Sequence, residues 1–268
     1  AETIFCQGFS EPGSGSDLAS VSTRAELDGD AYVVNGQKVW SSWAHLADYC
    51  ILLTRSEPDQ KGHRGLTYFI LDMHSPGVEV RPLRQLTGDP EFNEIFLSDV
   101  RIPVEDIMDE PGNGWAVAMT TLLHERGTLG FALTAHLEGN MVQLLETVRA
   151  VGAADDPVVR DRVAALYVEL EGLRYTNLRS LTALMKTGVP GPEGSVSKLQ
   201  WSETNQRLTS LALELLGPDG QLDGADGFWG GFWQYQQLRS RGNSIEAGTS
   251  EVLRNIIAER VLGLPRSR

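Results

Sequence analysis

Two glutamates in this sequence stand where a general base could act. The first is Glu125, in the run LLHERG (122–127). On a helix, its neighbours three, four and seven positions away would be small or apolar: Ala118, Thr121, Leu122, Thr128, Leu129 and Ala132. A carboxylate removed from water holds a proton more readily, which suits proton abstraction. An ordinary surface glutamate beside Arg126 and His124 is the alternative interpretation.

The second candidate is Glu246, just upstream of Gly248-Thr249-Ser250-Glu251. A hydroxyl residue followed by an acidic residue and an apolar period is typical of a helix N-terminus. The unpaired N–H groups there favour an anion or an electron-rich ring. A plain helix cap with a surface glutamate nearby would use the same residues.

Two further stretches could contact a flat or phosphorylated ligand. FSEPGSGSD (9–17) combines hydroxyls, glycines and carboxylates in a run that cannot be helical, so its backbone N–H groups could approach a ligand. Trp40-Ser41-Ser42 places two hydroxyls beside an aromatic stacking surface. A surface turn and a core tryptophan, respectively, are the alternatives.

The elements that must position these residues differ between the two parts of the chain. Residues 1–112 contain short β-branched and aromatic runs separated by turn sequences such as DGD, GHRG and TGDP, which predict a small barrel or sandwich. Asn35-Gly36 lies between two such runs and predicts a hairpin. Residues 113–268 have a helical period and predict a bundle, with Asp155-Asp156-Pro157 starting a helix that runs to about Lys186.

Composition excludes several classes of function. The net charge of the 268 residues is −13, which argues against nucleic-acid binding and against docking on anionic membranes. No apolar run approaches the ~20 residues that span a bilayer. Cys6 and Cys50 are expected to be buried and reduced, so a cytoplasmic location is expected. No metal site is predicted. Because the chain starts with Ala1 and enters a strand at once, an N-terminal portion is expected to be missing.

Five motifs in order resemble the acyl-CoA dehydrogenase family over essentially the whole length: FSEPGSGSD, GQKVWSS, the long helix after EPGNGW, LLGPDGQL and SIEAGTSEVLRNIIAERVLGLPR. The resemblance implies an α+β fold. A small antiparallel β barrel or sandwich, the family's middle domain (1–112), is followed by an up-down helical bundle, its C-terminal domain (113–268). The family's N-terminal helical domain would be absent.

The resemblance also implies that the protein binds FAD. The SEPGSGSD loop would cover the flavin, Trp40 would pack on its ring system, and Ser42 would face the N5 region. Gly217 belongs to a segment that reaches an FAD held mainly by a neighbouring subunit. The implied cofactor-binding residues are Phe9, Ser10, Gly15, Ser16, Trp40, Ser42, Gly217, Thr249 and Glu251.

The family reaction removes two hydrogens from an acyl-CoA thioester. A glutamate takes the α-proton, the β-hydrogen leaves as hydride to flavin N5, and an electron-transfer flavoprotein is the expected acceptor. Many members carry the base immediately before Gly-Thr, where this chain has Ala247. Others carry it on the first bundle helix, at the position of Glu125, which makes Glu125 the predicted base and Glu246, one residue out of register, the second choice. Ser16 and Arg126 would contact the CoA portion.

The chain also departs from the family. An Arg-x-x-Phe-Gly stretch is expected after the first bundle helix, but the sequence there is TVRAVGAADDPVVRD, where Arg149 is a candidate replacement for the arginine. Homodimer or homotetramer and hetero-oligomer therefore both stay open. So do two other functions on this fold: a flavin oxidase or monooxygenase, and a subunit that supports a partner's active site. A base on the helix is typical of members that take branched, long or bulky acyl groups.

Overall fold

The computed structural model describes residues 2–266, except the side chains of residues 126–128. The described chain forms two compact units that meet within one long helix, the first ending at Leu122 and the second beginning at Leu123.

In the described residues of the first unit, the strands are β1 Phe5–Gly8, β2 Arg24–Asp28, β3 Ala31–Ser42, β4 Tyr49–Arg55, β5 Leu66–Asp72, β6 Val78–Leu83 and β7 Phe92–Pro103. They form one seven-stranded sheet with the order β1-β4-β2-β3-β7-β6, and β5 pairs with β4. Strand β4 pairs in parallel with β1 and with β2, while the other pairs are antiparallel. The α+β class predicted from the sequence is confirmed, with a mixed sheet rather than a wholly antiparallel one.

The prediction of a hairpin at Asn35-Gly36 is wrong. Both residues lie inside β3, at an irregularity in its pairing with β7. The hairpin between β2 and β3 turns instead at Gly29-Asp30, because Asp28 pairs with Ala31. Gly36 is required for another reason: a Cβ atom there would lie 2.5 Å from the Oγ1 of Thr23.

The helices are α1 Gly114–Ala150, α2 Pro157–Thr187, α3 Glu193–Leu216, α4 Phe232–Ser240 and α5 Ser250–Ile256. The predicted start of α2 is confirmed, since Asp156 accepts hydrogen bonds from the N–H groups of Val158 and Val159 and Pro157 is the first helical residue. None of the described helices combines the length and the apolarity needed to cross a membrane.

Each unit has its own apolar core. In the first, Tyr32, Leu52 and Phe69 belong to one cluster, to which the strands contribute alternate residues such as Cys50 and Leu52 of β4. In the second, Leu137 and Leu144 of α1 belong to one cluster with Leu173 of α2, Leu208 of α3 and Trp233 of α4, which is typical of a helical bundle. Cys6 and Cys50 are free and buried, as predicted.

The first turns of α1 pack with the sheet rather than with the bundle core. Trp115, Ala118 and Leu122 join a cluster that also contains Phe9 and Tyr68. The domain boundary at residues 112/113 stays a prediction.

Candidate active site

The FSEPGSGSD loop has a fixed base and an open tip. At its base, Phe9 is buried with its ring 5.7 Å from that of Tyr68, edge to face, and the carbonyl of the half-buried Ser10 accepts a hydrogen bond from the N–H of Val39 at 2.9 Å. Glu11 and Ser14 exchange two backbone hydrogen bonds, of 2.9 and 3.0 Å, that close a tight turn. The loop is thereby fastened to β3.

The tip of the loop presents bare backbone. Gly13, Gly15 and Ser16 are exposed, and a Cβ atom added to either glycine would meet no atom within 4 Å. A glycine tip with this much open space lets a ligand approach the main chain closely.

Trp40 is held outward by a bulge in β3. Lys38 pairs with Ile95 and Ser41 with Asn93, so two residues of β3 oppose one residue of β7. Trp40 lies in this bulge with a left-handed backbone (φ 63°), and its residue is 61% exposed. A bulky residue in this conformation is strained, and such strain is often found at functional sites.

In the WSS motif, the middle residue is buried and the other two are exposed. Ser41 is buried and donates to the carbonyl of Gln7 at 2.9 Å, whereas Ser42 is exposed like Trp40. The indole of Trp40 touches Phe92 edge-on, with ring centroids 6.1 Å apart. The alternative that Trp40 is a core residue is therefore wrong.

Glu125 lies within α1 and is half-buried. Along its predicted helix face, Ala118 is buried and Thr121, Leu122 and Leu129 are half-buried, while Ala132 is exposed. The side chains of Thr128 and Arg126 lie outside the described residues, so the role of Arg126 toward CoA stays a prediction. Glu125 is only partly withdrawn from water, by a face that is mostly apolar.

Glu246 is engaged in a structural ion pair. Its two carboxylate oxygens accept hydrogen bonds from the Arg239 guanidinium at 3.0 and 3.3 Å, and one of them also accepts from the Asn243 amide at 2.9 Å. Protonating Glu246 would weaken all three contacts, which argues against it as the base.

The turn between Asn243 and Thr249 is held by a buried lysine. The Nζ of Lys198 donates to the carbonyls of Asn243 at 2.6 Å and Gly248 at 2.8 Å, and the Oγ of Ser202 donates to the same Asn243 carbonyl at 2.7 Å. Burial lowers the pKa of Lys198 to about 8, although the charge of Glu246 opposes this shift. Ala247 and Gly248 both have positive φ values, 50° and 97°.

A chain of asparagine amides continues this network across the bundle. The amide of Asn140 on α1 donates to Asn205 on α3, and that of Asn205 donates to Asn243, each at 2.9 Å. All three residues are buried, so the turn and two helices are held in one register.

The predicted helix start after this turn is confirmed. Thr249 is the N-cap of α5 and its hydroxyl accepts from the N–H of Val252 at 3.2 Å. Glu251 lies exposed in the first turn, and Gly217 ends α3 with φ 57°. Arg149 is exposed in the last turn of α1.

Comparison with known proteins decides the family. Residues 6–100 match the family described as "Acyl-CoA dehydrogenase, middle domain", and residues 112–262 match "Acyl-CoA dehydrogenase, C-terminal domain". The chain belongs to the acyl-CoA dehydrogenase family. It is an oxidoreductase of that class.

Curated relatives extend the match over the whole chain. "Acyl-CoA dehydrogenase IpdE1" of Mycobacterium tuberculosis is 44% identical over 98% of this chain and 67% of its own length. "Acyl-CoA dehydrogenase FadE34" of the same organism is 36% identical over 99% of this chain and 36% of its own. This acyl-CoA dehydrogenase chain therefore spans about two thirds of the first relative and about a third of the second.

Solved structures agree. The "Tcur3481-Tcur3483 steroid ACAD" has a TM-score of 0.87 at 30% identity, covering 99% of this chain and 69% of that one. The ChsE4–ChsE5 complex from Mycobacterium tuberculosis has a TM-score of 0.87 at 31% identity, covering 99% and 70%.

The residues of this acyl-CoA dehydrogenase chain fit FAD in the part that the first unit supplies. A flat ring needs an exposed aromatic surface and an unobstructed backbone, and Trp40 and the 13–16 tip supply both on neighbouring segments, joined by the bond from Val39 to Ser10.

The sequence did not indicate the side chains that hold the 9–17 loop and the Asn243–Thr249 turn. These are Glu11 and Lys38 for the loop, and Lys198, Asn205 and Asn243 for the turn. One signal was available: Lys198, Ser202 and Asn205 recur at helical spacing on the face of α3 that also carries the buried Trp201 and Leu208.

Proposed function

We propose that this chain catalyses the FAD-dependent α,β-dehydrogenation of an acyl-CoA thioester, with Glu125 as the base. The observation that carries the proposal is Trp40, which has a strained, left-handed backbone and an exposed indole. It follows Val39, whose N–H is bonded to the loop that has the open glycine tip. FAD, when bound, would accept the β-hydrogen as hydride. Phe9, Ser10, Gly15, Ser16, Trp40 and Ser42 would hold it from the first unit. In the second unit, Thr249 and Glu251 are proposed FAD-binding residues, and Gly217 would reach an FAD held mainly by a neighbouring subunit.

The contacts of Glu246 argue against it as the base, and the position of Glu125 supports Glu125. Glu246 is bound by Arg239 and Asn243, so it serves the architecture of the turn. Glu125 matches the helix-borne base of the family by its position in LLHERG. Its half-buried setting supports proton abstraction, because partial loss of water strengthens a carboxylate as a base.

The Asn243–Thr249 turn would meet the developing negative charge. In the family, a backbone N–H near the Gly-Thr pair donates to the thioester oxygen. Here Lys198 fixes the Gly248 carbonyl, and Thr249 is fixed as a helix cap. The Thr249 N–H, which belongs to the same peptide group as that carbonyl, is therefore held in place before substrate arrives.

The acyl group is proposed to be bulky, and the assembly hetero-oligomeric. One of the two solved structures described above is titled a steroid ACAD, which supports a bulky substrate. The titles of both structures join two protein names, which supports an assembly of two different chains. Loss of the Arg-x-x-Phe-Gly stretch supports a partner that completes the FAD site. An electron-transfer flavoprotein is the proposed electron acceptor.

The experiment compares Glu125→Gln with Glu246→Gln. The purified protein should be yellow, and anaerobic addition of straight, branched and ring-bearing CoA esters should bleach it, fastest with a ring-bearing ester. Glu125→Gln should retain flavin and slow bleaching about 10²- to 10⁴-fold, the usual range for a lost general base. Glu246→Gln should lose stability but bleach at a comparable rate.

Normal bleaching by Glu125→Gln together with a block in Glu246→Gln would reverse the assignment of the base. Rapid reoxidation of the reduced flavin by air would favour the oxidase. A colourless protein that no CoA ester changes would contradict the proposed function, unless a second subunit restores the colour.

A further inference from the structure

Glu11 and Lys38 form a buried ion pair at the base of the candidate flavin site. Their charged groups lie 2.8 Å apart, and the side chains are 6% and 0% exposed. Burying two charges costs desolvation energy that the attraction between them often fails to recover, so an apolar pair would stabilise the fold at least as well. The pair therefore calls for an explanation beyond stability.

Its further contacts tie three segments together. The Nζ of Lys38, on β3, also donates to the carbonyl of Phe9 at 3.1 Å. The Glu11 carboxylate accepts from the N–H and Oγ of Ser22 at 2.7 and 2.8 Å and from the N–H of Thr23 at 2.9 Å. One ion pair thus fixes the loop, the segment leading into β2, and β3.

The sequence places this pair next to both groups proposed to face the flavin. Ser10 stands between Phe9 and Glu11, and Trp40 stands two residues after Lys38, inside the bulge. We propose that Glu11 and Lys38 are positioning residues that set the Ser10 loop and Trp40 at a fixed separation for the flavin. This inference rests on the proposed function, since it assumes that the chain binds FAD.

The electrostatics of the pair combine burial with mutual attraction. Burial raises the pKa of Glu11, but the Lys38 ammonium and the hydrogen bonds outweigh burial and bring it down to about 2. Burial lowers the pKa of Lys38, against the opposing effects of Glu11 and of Cys50. The fold therefore favours the charged form of Glu11 and disfavours the charged form of Lys38, so the two shifts affect stability in opposite senses.

The test separates positioning from stability by using a charge-free pair. Lys38→Met alone leaves the Glu11 carboxylate buried without its partner, so both thermal stability and flavin affinity should fall. In Lys38→Met/Glu11→Gln, the amide oxygen of residue 11 can still accept from the N–H and Oγ of Ser22, while its NH2 group replaces the oxygen that accepted from Thr23, so the melting temperature should recover in part. The Phe9 carbonyl still lacks its lysine. FAD affinity should therefore stay roughly 2- to 10-fold lower, the range that one lost hydrogen bond predicts, and the bound flavin spectrum should shift.

Val100→Ala serves as the matched control. Val100 is fully buried in the core of the same unit and belongs to a different set of contacts, so its truncation should lower the melting temperature while keeping the flavin spectrum. Amide hydrogen exchange over residues 9–16, measured without flavin, should accelerate in the double variant and not in Val100→Ala.

A double variant with the wild-type FAD affinity, spectrum and exchange rates would overturn the inference. So would FAD affinity that simply follows the melting temperature across all the variants. If the wild-type protein bound no flavin, the proposed function would fail instead, and unchanged exchange over residues 9–16 would still refute the positioning role by itself.

Discussion

Replacing Lys198 with methionine should remove a rise in stability at alkaline pH. The Lys198 side chain is buried, and its ammonium donates to the carbonyls of Asn243 and Gly248. Burial lowers its pKa from the ordinary 10.5 to about 8. The charged form is thus disfavoured in the folded protein relative to the unfolded chain.

The sign follows from proton counting. Below about pH 8 both states carry the proton, and the cost of the buried charge is fully present. Between about pH 8 and pH 10.5 the unfolded chain binds more protons than the folded protein, so the free energy of unfolding rises with pH. At ~1.4 kcal/mol for each pKa unit, the rise is at most ~3.5 kcal/mol.

Urea unfolding of the wild type and two variants, from about pH 7 to about pH 10, measures this rise. The free-energy difference between the wild type and Lys198→Met should grow by roughly 2 to 3 kcal/mol across the range, because other titrations cancel in the difference. Ser202→Ala is the matched control, since it removes another donor to the Asn243 carbonyl without removing a titrating group. A difference for Lys198→Met that stays flat, or shrinks as pH rises, would refute the assignment of a desolvated ammonium.

Two further predictions concern single contacts. Asp156→Ala should cost about 1 kcal/mol in urea unfolding, because two N–H groups at the start of α2 lose their acceptor, whereas Asp155→Ala keeps the cap and should change little. Gly36→Ala should cost about 1 to 3 kcal/mol, because its Cβ would lie 2.5 Å from Thr23 Oγ1; equal stabilities of Gly36→Ala and the open-tip variant Gly13→Ala would contradict this.

The sequence signals that worked were local ones. Asp156 before Pro157 and Thr249 before an apolar period both cap helices as predicted, because a cap depends on residues two or three positions away. The change of period near residue 112 likewise falls between the last strand, which ends at Pro103, and α1, which begins at Gly114. These features could be read without knowing what else packs against them.

Features that depend on distant partners were not predictable. Asn35-Gly36 has the residue types of a tight turn, but β3 continues through it because Gly36 passes against Thr23. Nothing near Trp40 in the sequence announces the bulge, since the bulge is defined by the register with β7.

The lysines of the chain divide into an exposed pair and a buried pair. The chain has four: Lys61 and Lys186 are exposed, and Lys38 and Lys198 are buried. Both buried ammonium groups donate to backbone carbonyls of an irregular segment in or beside a motif of the family. The acceptor is Phe9 for Lys38, and Asn243 and Gly248 for Lys198.

An irregular loop cannot pair its own buried carbonyls as a helix or sheet does, and an ammonium group carries three donors that can serve several at once. The acceptors lie 29, 45 and 50 residues away along the chain, so no local pattern could have indicated them. Burying an ammonium group costs desolvation energy. We therefore infer that the two loops held by Lys38 and Lys198 need a fixed backbone conformation.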